Sequence, residues 1–406
     1  MFLVPFLRAE QPCSQSDLLA AAQRAKAVQA QLLAYKLQDE MDEEVPGSLQ
    51  VQIRAFKESL VALADIAVQC APEDANPKVI EQRLVKLLDA NKPVVNEVYD
   101  PKKPPQLDQI YGDWIDVKAI TPANAPKLFL VNIGFGVACG GDSLLLVYER
   151  RDGSWSKTIR WQSGDYKEIS GAFGDFFAFE VVQEKNSENW NLAVAHGNPW
   201  CTSRWSGFDL DVIKPSAGKV PQQVVFHKEN GYVRDTGPIM KIVPEGFQLR
   251  LETGSLDVDV MTRPVIYRYS VSGKKVVRVQ PIAINGRDFV DEWLQSEWSE
   301  SKNWSAPSAL TVLETAHKEI KDFRDSNVKT KKIPNFTYGP VRPCSESTSH
   351  FQVELNKGWW VEGKTDLRPD TPTFFQIQEG KNSFTMLSAS DKPDPHCTGH
   401  DIMAQK

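Results

Sequence analysis

The chain has 406 residues, of which 41% are hydrophobic and 25% are charged. These are the proportions of ordinary globular proteins, so they exclude a wholly disordered chain. The formal net charge of -6 provides no basic face of the kind that binds nucleic acid. No apolar run approaches the ~18 residues that a membrane-spanning helix needs. The composition therefore predicts about two or three globular domains, no nucleic-acid partner and no transmembrane segment.

Residues 14–90 carry the spacing of amphipathic helices. A stripe of apolar residues separated by four and three positions runs through the second segment of this region: Leu49, Ile53, Phe56, Leu60, Leu63, Ala67 and Cys70. A looser stripe precedes it, and an acidic stretch ending before Pro46 separates the two. The pattern predicts an antiparallel helical hairpin. A third helix should follow, with Asn76 as its cap and Pro77 in its first turn.

The middle of the chain changes from a proline-rich segment to β structure. The prolines of residues 91–127 favour a semi-rigid linker or a strap laid over the next domain. Residues 128–285 alternate between apolar and polar positions in short segments, separated by turn signals such as Asn230-Gly231. The strand groups recur at intervals of about 45 residues, the length of a propeller blade. We expect a central all-β domain, either a two-layered sandwich or a propeller-like fold.

Residues 286–406 predict helices followed by a small α+β domain. Apolar residues at helical spacing indicate helices over 288–296 and 309–325, and four or five strand-like segments follow them. This order favours one helix packed on an antiparallel sheet. The expected fold class of the whole chain is therefore a multidomain α+β protein.

The six cysteines fall two by two into the three folded regions. Nearest-neighbour pairing gives Cys13–Cys70, Cys139–Cys201 and Cys344–Cys397, although sequence alone permits other pairings. No pair has the close CxxC spacing of zinc or redox sites. Disulfides persist in oxidising compartments, which predicts a secreted or periplasmic protein. The alternative is six free thiols in the cytosol, because free cysteine is a common core residue.

The apolar start of the chain fits the same compartment. Residues 1–7 resemble the end of a secretory signal peptide whose first part lies upstream. The alternative is the frayed terminus of a cytoplasmic protein. We therefore expect an extracytoplasmic protein that begins with a truncated signal peptide.

Two short motifs in the β region invite a chemical interpretation. The tetrapeptide 141–144, Gly-Asp-Ser-Leu, resembles the nucleophile motif of GDSL-type ester hydrolases, in which the serine leads into a helix. Here Ser143 opens an apolar run that predicts a strand instead. The glycine-rich segment 134–141 would cradle a phosphate only if a helix followed it. A strand is predicted there, so tight turns or a bulge are favoured, and no catalytic residue is assigned.

The C-terminal segment holds a small group of possible metal ligands, namely Asp394, His396, His400 and Asp401. Histidines four residues apart share one face only in a helix, and the prolines and glycine of this segment oppose a helix. We therefore expect a polar tail held by the disulfide of Cys397. The sequence predicts neither a metal site nor a cofactor.

The eleven tryptophans are the most unusual feature of the composition. Trp190, Trp200 and Trp205 fall in one stretch, around a proline and a cysteine. An exposed indole offers a flat apolar face with one N–H donor, which suits stacking on sugar rings or on a partner surface. These three residues are the predicted ligand-binding residues.

The expected function is that of an extracytoplasmic, non-catalytic binding or interaction protein with a carbohydrate or protein partner. Two alternatives stay open at this point. One is a hydrolase that acts on a carbohydrate or an ester, with an active site that the sequence does not reveal. The other is an intracellular scaffold, and the oligomeric state is open in every case.

Overall fold

The computed structural model of the protein describes seventeen ranges of the chain: 14–35, 45–72, 75–90, 111–137, 140–151, 153–163, 177–184, 187–197, 205–217, 220–233, 238–280, 283–326, 332–345, 349–361, 364–369, 372–381 and 383–403. The chain divides into two compact units, Met1–Asn230 and Gly231–Lys406. Over the described ranges these units carry six α-helices and four antiparallel sheets. The fold is thus mixed α+β with a mostly β core, which confirms the predicted class at that level. The finer division into domains stays a prediction.

The first unit begins with three helices: α1 (Gln15–Leu33), α2 (Gly47–Gln69) and α3 (Pro77–Leu88). The side chain of Asn76 accepts the amide of Lys78 at the start of α3, and Pro77 occupies the first turn, as the sequence predicts. The apolar stripe of α2 is buried from Leu49 to Ala67, and Cys70, which follows the helix, is partly buried. Within the described residues, none of the helices has the length and apolar character to cross a membrane.

Two meandering sheets follow in the same unit. The strands of the first sheet are β1 (Ile115–Ile120), β2 (Leu128–Val137), β3 (Gly140–Arg151) and β4 (Ser154–Gln162). The strands of the second sheet are β5 (Phe177–Gln183), β6 (Trp190–Gly197), β7 (Trp205–Lys214) and β8 (Gln223–Val233). Sequence neighbours are also neighbours in each sheet.

The first sheet is covered on both faces. Alternate residues of β2 and β3, such as Val131 and Leu146, share a core with the three helices. The intervening residues, such as Leu130 and Leu145, share a second core with Val194 and other residues of the second sheet. A strand that is buried on both faces has a nearly continuous run of apolar residues in its sequence. This explains why β2 and β3 lack the polar positions of a half-exposed strand.

Polar contacts fix α2 on the first sheet. The buried Lys57 ammonium lies 2.5 Å from the buried Asp142 carboxylate and donates to the Ser163 hydroxyl at 2.6 Å. Farther along α2, the Asp65 carboxylate accepts the Tyr148 hydroxyl at 2.8 Å. A buried ion pair specifies position only where its charges are matched. The Lys57–Asp142 pair therefore fixes the position of α2 on the first sheet.

The glycines of the segment 134–141 make room for an indole. A Cβ atom built on Gly141 would lie 2.6 Å from the Trp114 ring, and one on Gly136 would lie 2.9 Å from Trp114 Nε1. These two glycines pair with each other across β2 and β3. The sequence favoured turns or a bulge here. The structure instead gives Gly136 and Gly141 a packing role inside paired strands, because a side chain on either would collide with Trp114, and one on Gly136 would also collide with Asp113.

The second unit carries the other two sheets. The strands of the third sheet are β9 (Ile239–Val243), β10 (Gly246–Gly254), β11 (Thr262–Ser272) and β12 (Lys275–Arg278). The helices that follow are α4 (Gly286–Gln295), α5 (Trp298–Ser301) and α6 (Leu310–Asp325). The strands of the fourth sheet are β13 (Lys332–Pro343), β14 (His350–Val361), β15 (Lys364–Pro369), β16 (Thr373–Glu379) and β17 (Phe384–Ser390).

The core of the second unit lies between helices and the fourth sheet. Trp293 of α4 and Leu313 of α6 are buried together with Phe375 and Met386 of the sheet. Two helices thus contribute to this core, where the sequence suggested one. A disulfide joins Cys344, after β13, to Cys397 in the C-terminal segment, which is the pairing expected there.

The other cysteines are described only in part. Cys70 is also disulfide-bonded. Cys13, its predicted partner, lies outside the described residues, and so do Cys139 and Cys201. The pairings Cys13–Cys70 and Cys139–Cys201 therefore stay predictions.

A buried ionic network connects the third sheet to α4. Arg263 donates to Asp291 at 2.8 Å and to Glu292 at 2.5 Å, and Arg278 donates to Glu292 from the other side. Burial alone would raise the pKa of Glu292, but the guanidinium groups of Arg278 and Arg263 outweigh it and lower the pKa to about 2. Glu292 is therefore a buried anion held by two cations.

Two details of the strand prediction are wrong. Asn230-Gly231 was expected to form a turn, but both residues lie inside β8. Local turn propensity is overridden there because the chain continues in the sheet beside β7. Two of the strand-like segments expected after the helices, 351–355 and 359–362, were predicted as separate strands, but residues 350–361 form one strand, β14, which pairs with β13 along most of its length.

We expect the substitution Lys57→Met to destabilise the first unit by about 3–5 kcal/mol, because it leaves the Asp142 carboxylate buried without its cation. The measurement is the free energy of unfolding in urea. The matched control is Lys78→Met, which removes an exposed ion-pair partner of Glu81 and should cost less than about 1 kcal/mol. An equal loss in both variants would contradict a special role for the buried pair.

The network around Glu292 predicts a loss of stability in acid. Because the pKa of this group is lowered from 4.5 to about 2 on folding, its contribution is complete above pH 4.5 and disappears as the pH falls towards 2. The contribution is about 3 kcal/mol. Urea unfolding between pH 7 and pH 2 should therefore depend less on pH in Glu292→Gln than in the natural chain. Glu314→Gln, at an exposed carboxylate of α6, should retain the natural pH dependence.

Candidate functional site

A cluster of histidine and acidic side chains lies on three neighbouring strands of the second sheet. We call it the His–carboxylate patch, and its members are His196 on β6, Asp209 and Asp211 on β7, and His227 and Glu229 on β8. His196 pairs directly with Asp209 in the antiparallel register. Alternate residues of a strand point to one side of a sheet. The patch therefore continues the sheet face that packs on the first sheet in its apolar part.

One hydrogen bond orders the exposed side of the patch. His227 Nδ1 lies 2.8 Å from Asp211 Oδ1. The other oxygen of Asp211 accepts the Trp161 indole N–H at 3.4 Å. The hydrogen bond to Asp211 is the main reason that the pKa of His227 is raised, and the charges of Asp209 and Glu229 add to it. Asp211 thus fixes both the orientation and the tautomer of the His227 imidazole.

The buried side of the patch holds His196. Its Nε2 faces the carboxylates of Asp209 and Asp211 at 3.6 and 3.9 Å, and its ring lies against Trp161 with centroids 4.8 Å apart. Its Nδ1 is buried and has no hydrogen-bond partner among the described residues. Burial lowers the pKa of His196 despite the nearby carboxylates, and burial also raises the pKa of Asp209. This imidazole is therefore held towards its neutral form beside two acids.

Three members of the patch can converge on one ion. Asp209, His227 and Glu229 each offer a ligand atom, and these atoms all lie within 4.8 Å of one another. Glu229 and His227 are exposed, with 81% and 52% of their side-chain surface accessible. One nitrogen and two carboxylate oxygens form a donor set suited to a divalent transition metal.

The structure separates the three predicted tryptophans. Trp190, at the start of β6, is 6% exposed and belongs to the core between the two sheets. Trp205, at the start of β7, is 40% exposed. It occupies the strand face of Asp209 and Asp211, since all three stand at alternate positions. Trp200 lies outside the described residues. Ligand binding by these residues stays a prediction.

The remaining sequence motifs have structural partners. Ser143 lies within β3, as the sequence predicts, and the neighbouring Asp142 is the buried partner of Lys57. In the C-terminal segment, Asp401 accepts the amides of Val341 and Met403. This carboxylate holds the backbone of the C-terminal segment in place, which agrees with the expected polar tail held by a disulfide.

The sequence did not predict the His–carboxylate patch. The available signal was the pair of alternating polar motifs Asp209-Leu210-Asp211 and His227-Lys228-Glu229, each on one face of a strand. Such alternation also describes an ordinary solvent-facing strand. What joins the two motifs is the pairing of β7 with β8.

No known protein-family model matches the chain, and a search of curated protein sequences finds no significant match. The site is therefore interpreted from its own geometry.

The substitution Asp211→Asn should lower the pKa of His227. Removing the hydrogen-bonded carboxylate removes the main stabilisation of the imidazolium form, while Asp209 and Glu229 continue to attract it. The pKa is measured by NMR titration of the histidine ring signals. The ring signals of the exposed His400 provide an internal control, because the substitution should leave their chemical shifts unchanged. An unchanged pKa of His227 would show that the hydrogen bond is absent in solution.

Proposed function

We propose that the chain is a non-catalytic binding protein that works outside the cytoplasm and recognises a carbohydrate at the end of the second sheet that carries the His–carboxylate patch. The observation that carries this proposal is the half-exposed indole of Trp205, on the same strand face as Asp209 and Asp211. Carbohydrate rings present an apolar face of C–H groups and a rim of hydroxyl groups. An indole matches the first, and carboxylates and imidazoles match the second.

The distribution of polar groups favours a binding role over a packing role. A core position would hold apolar side chains, yet β7 changes from buried Ile213 to Asp211 and Asp209 along one face. Ligand sites combine an aromatic or apolar wall with a few polar groups that orient the ligand. Trp161 lies beside the patch, since its indole contacts both His196 and Phe177. The patch thus has aromatic walls around its polar groups.

An extracytoplasmic location is supported by the disulfide between Cys344 and Cys397 and by the bonded state of Cys70. Structural disulfides persist in oxidising compartments and are rare in the cytosol.

A hydrolase acting on the same class of ligand is the second candidate. The observation that favours it is the presence of two carboxylates, Asp209 and Asp211, beside two imidazoles at an accessible sheet end. Such groups are the usual acids and bases of glycoside and ester cleavage. Release of reducing ends during the binding experiment separates this candidate from the binding protein.

The test uses calorimetric titration of the full chain with oligosaccharides of glucose, N-acetylglucosamine, galactose and mannose, in the presence of EDTA. We expect at least one series to bind. The substitution Trp205→Ala should weaken that binding at least about tenfold, because loss of a tryptophan contact commonly costs more than ~1.4 kcal/mol. Trp360→Ala, at an indole 41% exposed on β14, is the matched control and should bind normally.

Two results would contradict the proposal. One is the absence of binding to every series by the natural chain. The other is equal binding by the natural chain and Trp205→Ala. Cleavage of a bound oligosaccharide by the natural chain, and its loss in Asp209→Asn, would show that the protein is a hydrolase and not a non-catalytic binding protein.

A further inference from the structure

We infer that Asp209, His227 and Glu229 form a binding site for a divalent transition metal ion, of which Zn²⁺ fits best. The three ligand atoms lie within 4.8 Å of one another. Ligands bound to one zinc ion at about 2.0–2.2 Å stand about 3–4 Å apart. The exposed side chains of His227 and Glu229 need only small rotations to close that difference.

The imidazole of His227 is oriented as a metal ligand would be. Its Nδ1 is engaged by Asp211 Oδ1 at 2.8 Å, and Asp211 is itself an acceptor for the Trp161 indole. A metal-binding histidine usually donates its second N–H to a carboxylate, which leaves the other nitrogen free to coordinate. The Nε2 atom of His227 faces Glu229, whose Oε1 lies 3.9 Å away. This contact is too long for a hydrogen bond and leaves space for an ion.

A second, independent observation comes from His196. Its side chain is nine-tenths buried, its Nε2 points at Asp209 from 3.6 Å, and its Nδ1 has no partner among the described residues. At 3.6 Å, Nε2 is too far from the Asp209 carboxylate for a hydrogen bond. His196 therefore leaves the oxygen atoms of Asp209 available to an ion.

The three ligand atoms, one imidazole nitrogen and two carboxylate oxygens, favour some metal ions over others. Ca²⁺ and Mg²⁺ prefer six or more oxygen ligands, whereas an imidazole nitrogen with two carboxylates suits Zn²⁺ and its neighbours. Three protein ligands leave one tetrahedral position open. Since His227 and Glu229 are accessible to solvent, that position is available to water or to an oxygen atom of a ligand.

This inference goes beyond the proposed carbohydrate binding and does not depend on it. Metal binding is measured without carbohydrate, and carbohydrate binding is measured with EDTA. A negative result in one measurement therefore contradicts only the proposal that it tests and not the other.

The experiment titrates Zn²⁺ into chelator-treated full chain by isothermal calorimetry. We expect one Zn²⁺ per chain. His227→Ala should weaken binding by at least 100-fold because it removes a ligand, and Asp211→Asn should weaken it about 10–100-fold because it removes the orienting carboxylate. His400→Ala, at an exposed histidine of the second unit, is the matched control and should bind as the natural chain does.

NMR of the imidazole nitrogens locates the ion independently of affinity. Zn²⁺ should shift Nε2 of His227 and leave its Nδ1 protonated. Far-UV circular dichroism checks that each variant is folded, and the exposure of His227 makes its replacement tolerable. The inference would be overturned by a natural chain that binds no Zn²⁺ up to about 1 mM, by undiminished binding in His227→Ala, or by loss of binding in His400→Ala.

Discussion

Burial of both faces of the first sheet is the constraint on which the first unit depends. The strands β2 and β3 place alternate side chains among the helices and against the second sheet, so an unpaired charge on either face would be costly. Asp142 is accommodated in β3 because Lys57 reaches it from α2 and the Ser163 hydroxyl donates to it. One face of the second sheet packs against the first sheet and forms the core between the two sheets. The patch occupies the part of that face where apolar residues of β6 and β7 give way to His196, Asp209 and Asp211.

The ionic network around Glu292 and the His–carboxylate patch differ in how completely their charges are paired. In the second unit, Glu292 lies between Arg263 and Arg278, and Asp291 accepts from Nε of Arg263. Each of these buried carboxylates thus faces a cation, although Nε of Arg278 has no partner among the described residues. In the His–carboxylate patch, by contrast, acids outnumber their bonded partners, and the buried Nδ1 of His196 is left without one among the described residues. A cluster that needs a further cation or donor is better explained by a ligand than by stability.

Much of the fold follows from local pattern. The cap at Asn76 with Pro77 located α3, and apolar alternation located most strands, because these signals act within a few residues. The patch could not be located in this way. Its members are 33 positions apart at the extremes and meet only through the register of β6, β7 and β8. The sequence likewise predicted the same ligand-binding role for Trp190 and Trp205. Only their burial distinguishes a core indole from an accessible one.

His196 shows most clearly why the patch has no packing explanation. Its ring lies against Trp161, and Trp161 lies against Phe177, so the surroundings on that side are aromatic. A leucine or phenylalanine there would avoid the cost of burying an imidazole. Sequences that fold well break such local rules mainly where function requires it. The Nε2 edge of the ring faces Asp209 and Asp211, and Asp209 lies with His227 and Glu229 around one point. The departure from good packing and the convergence of ligand atoms thus occur at the same place, where the metal-binding and carbohydrate-binding proposals both arise.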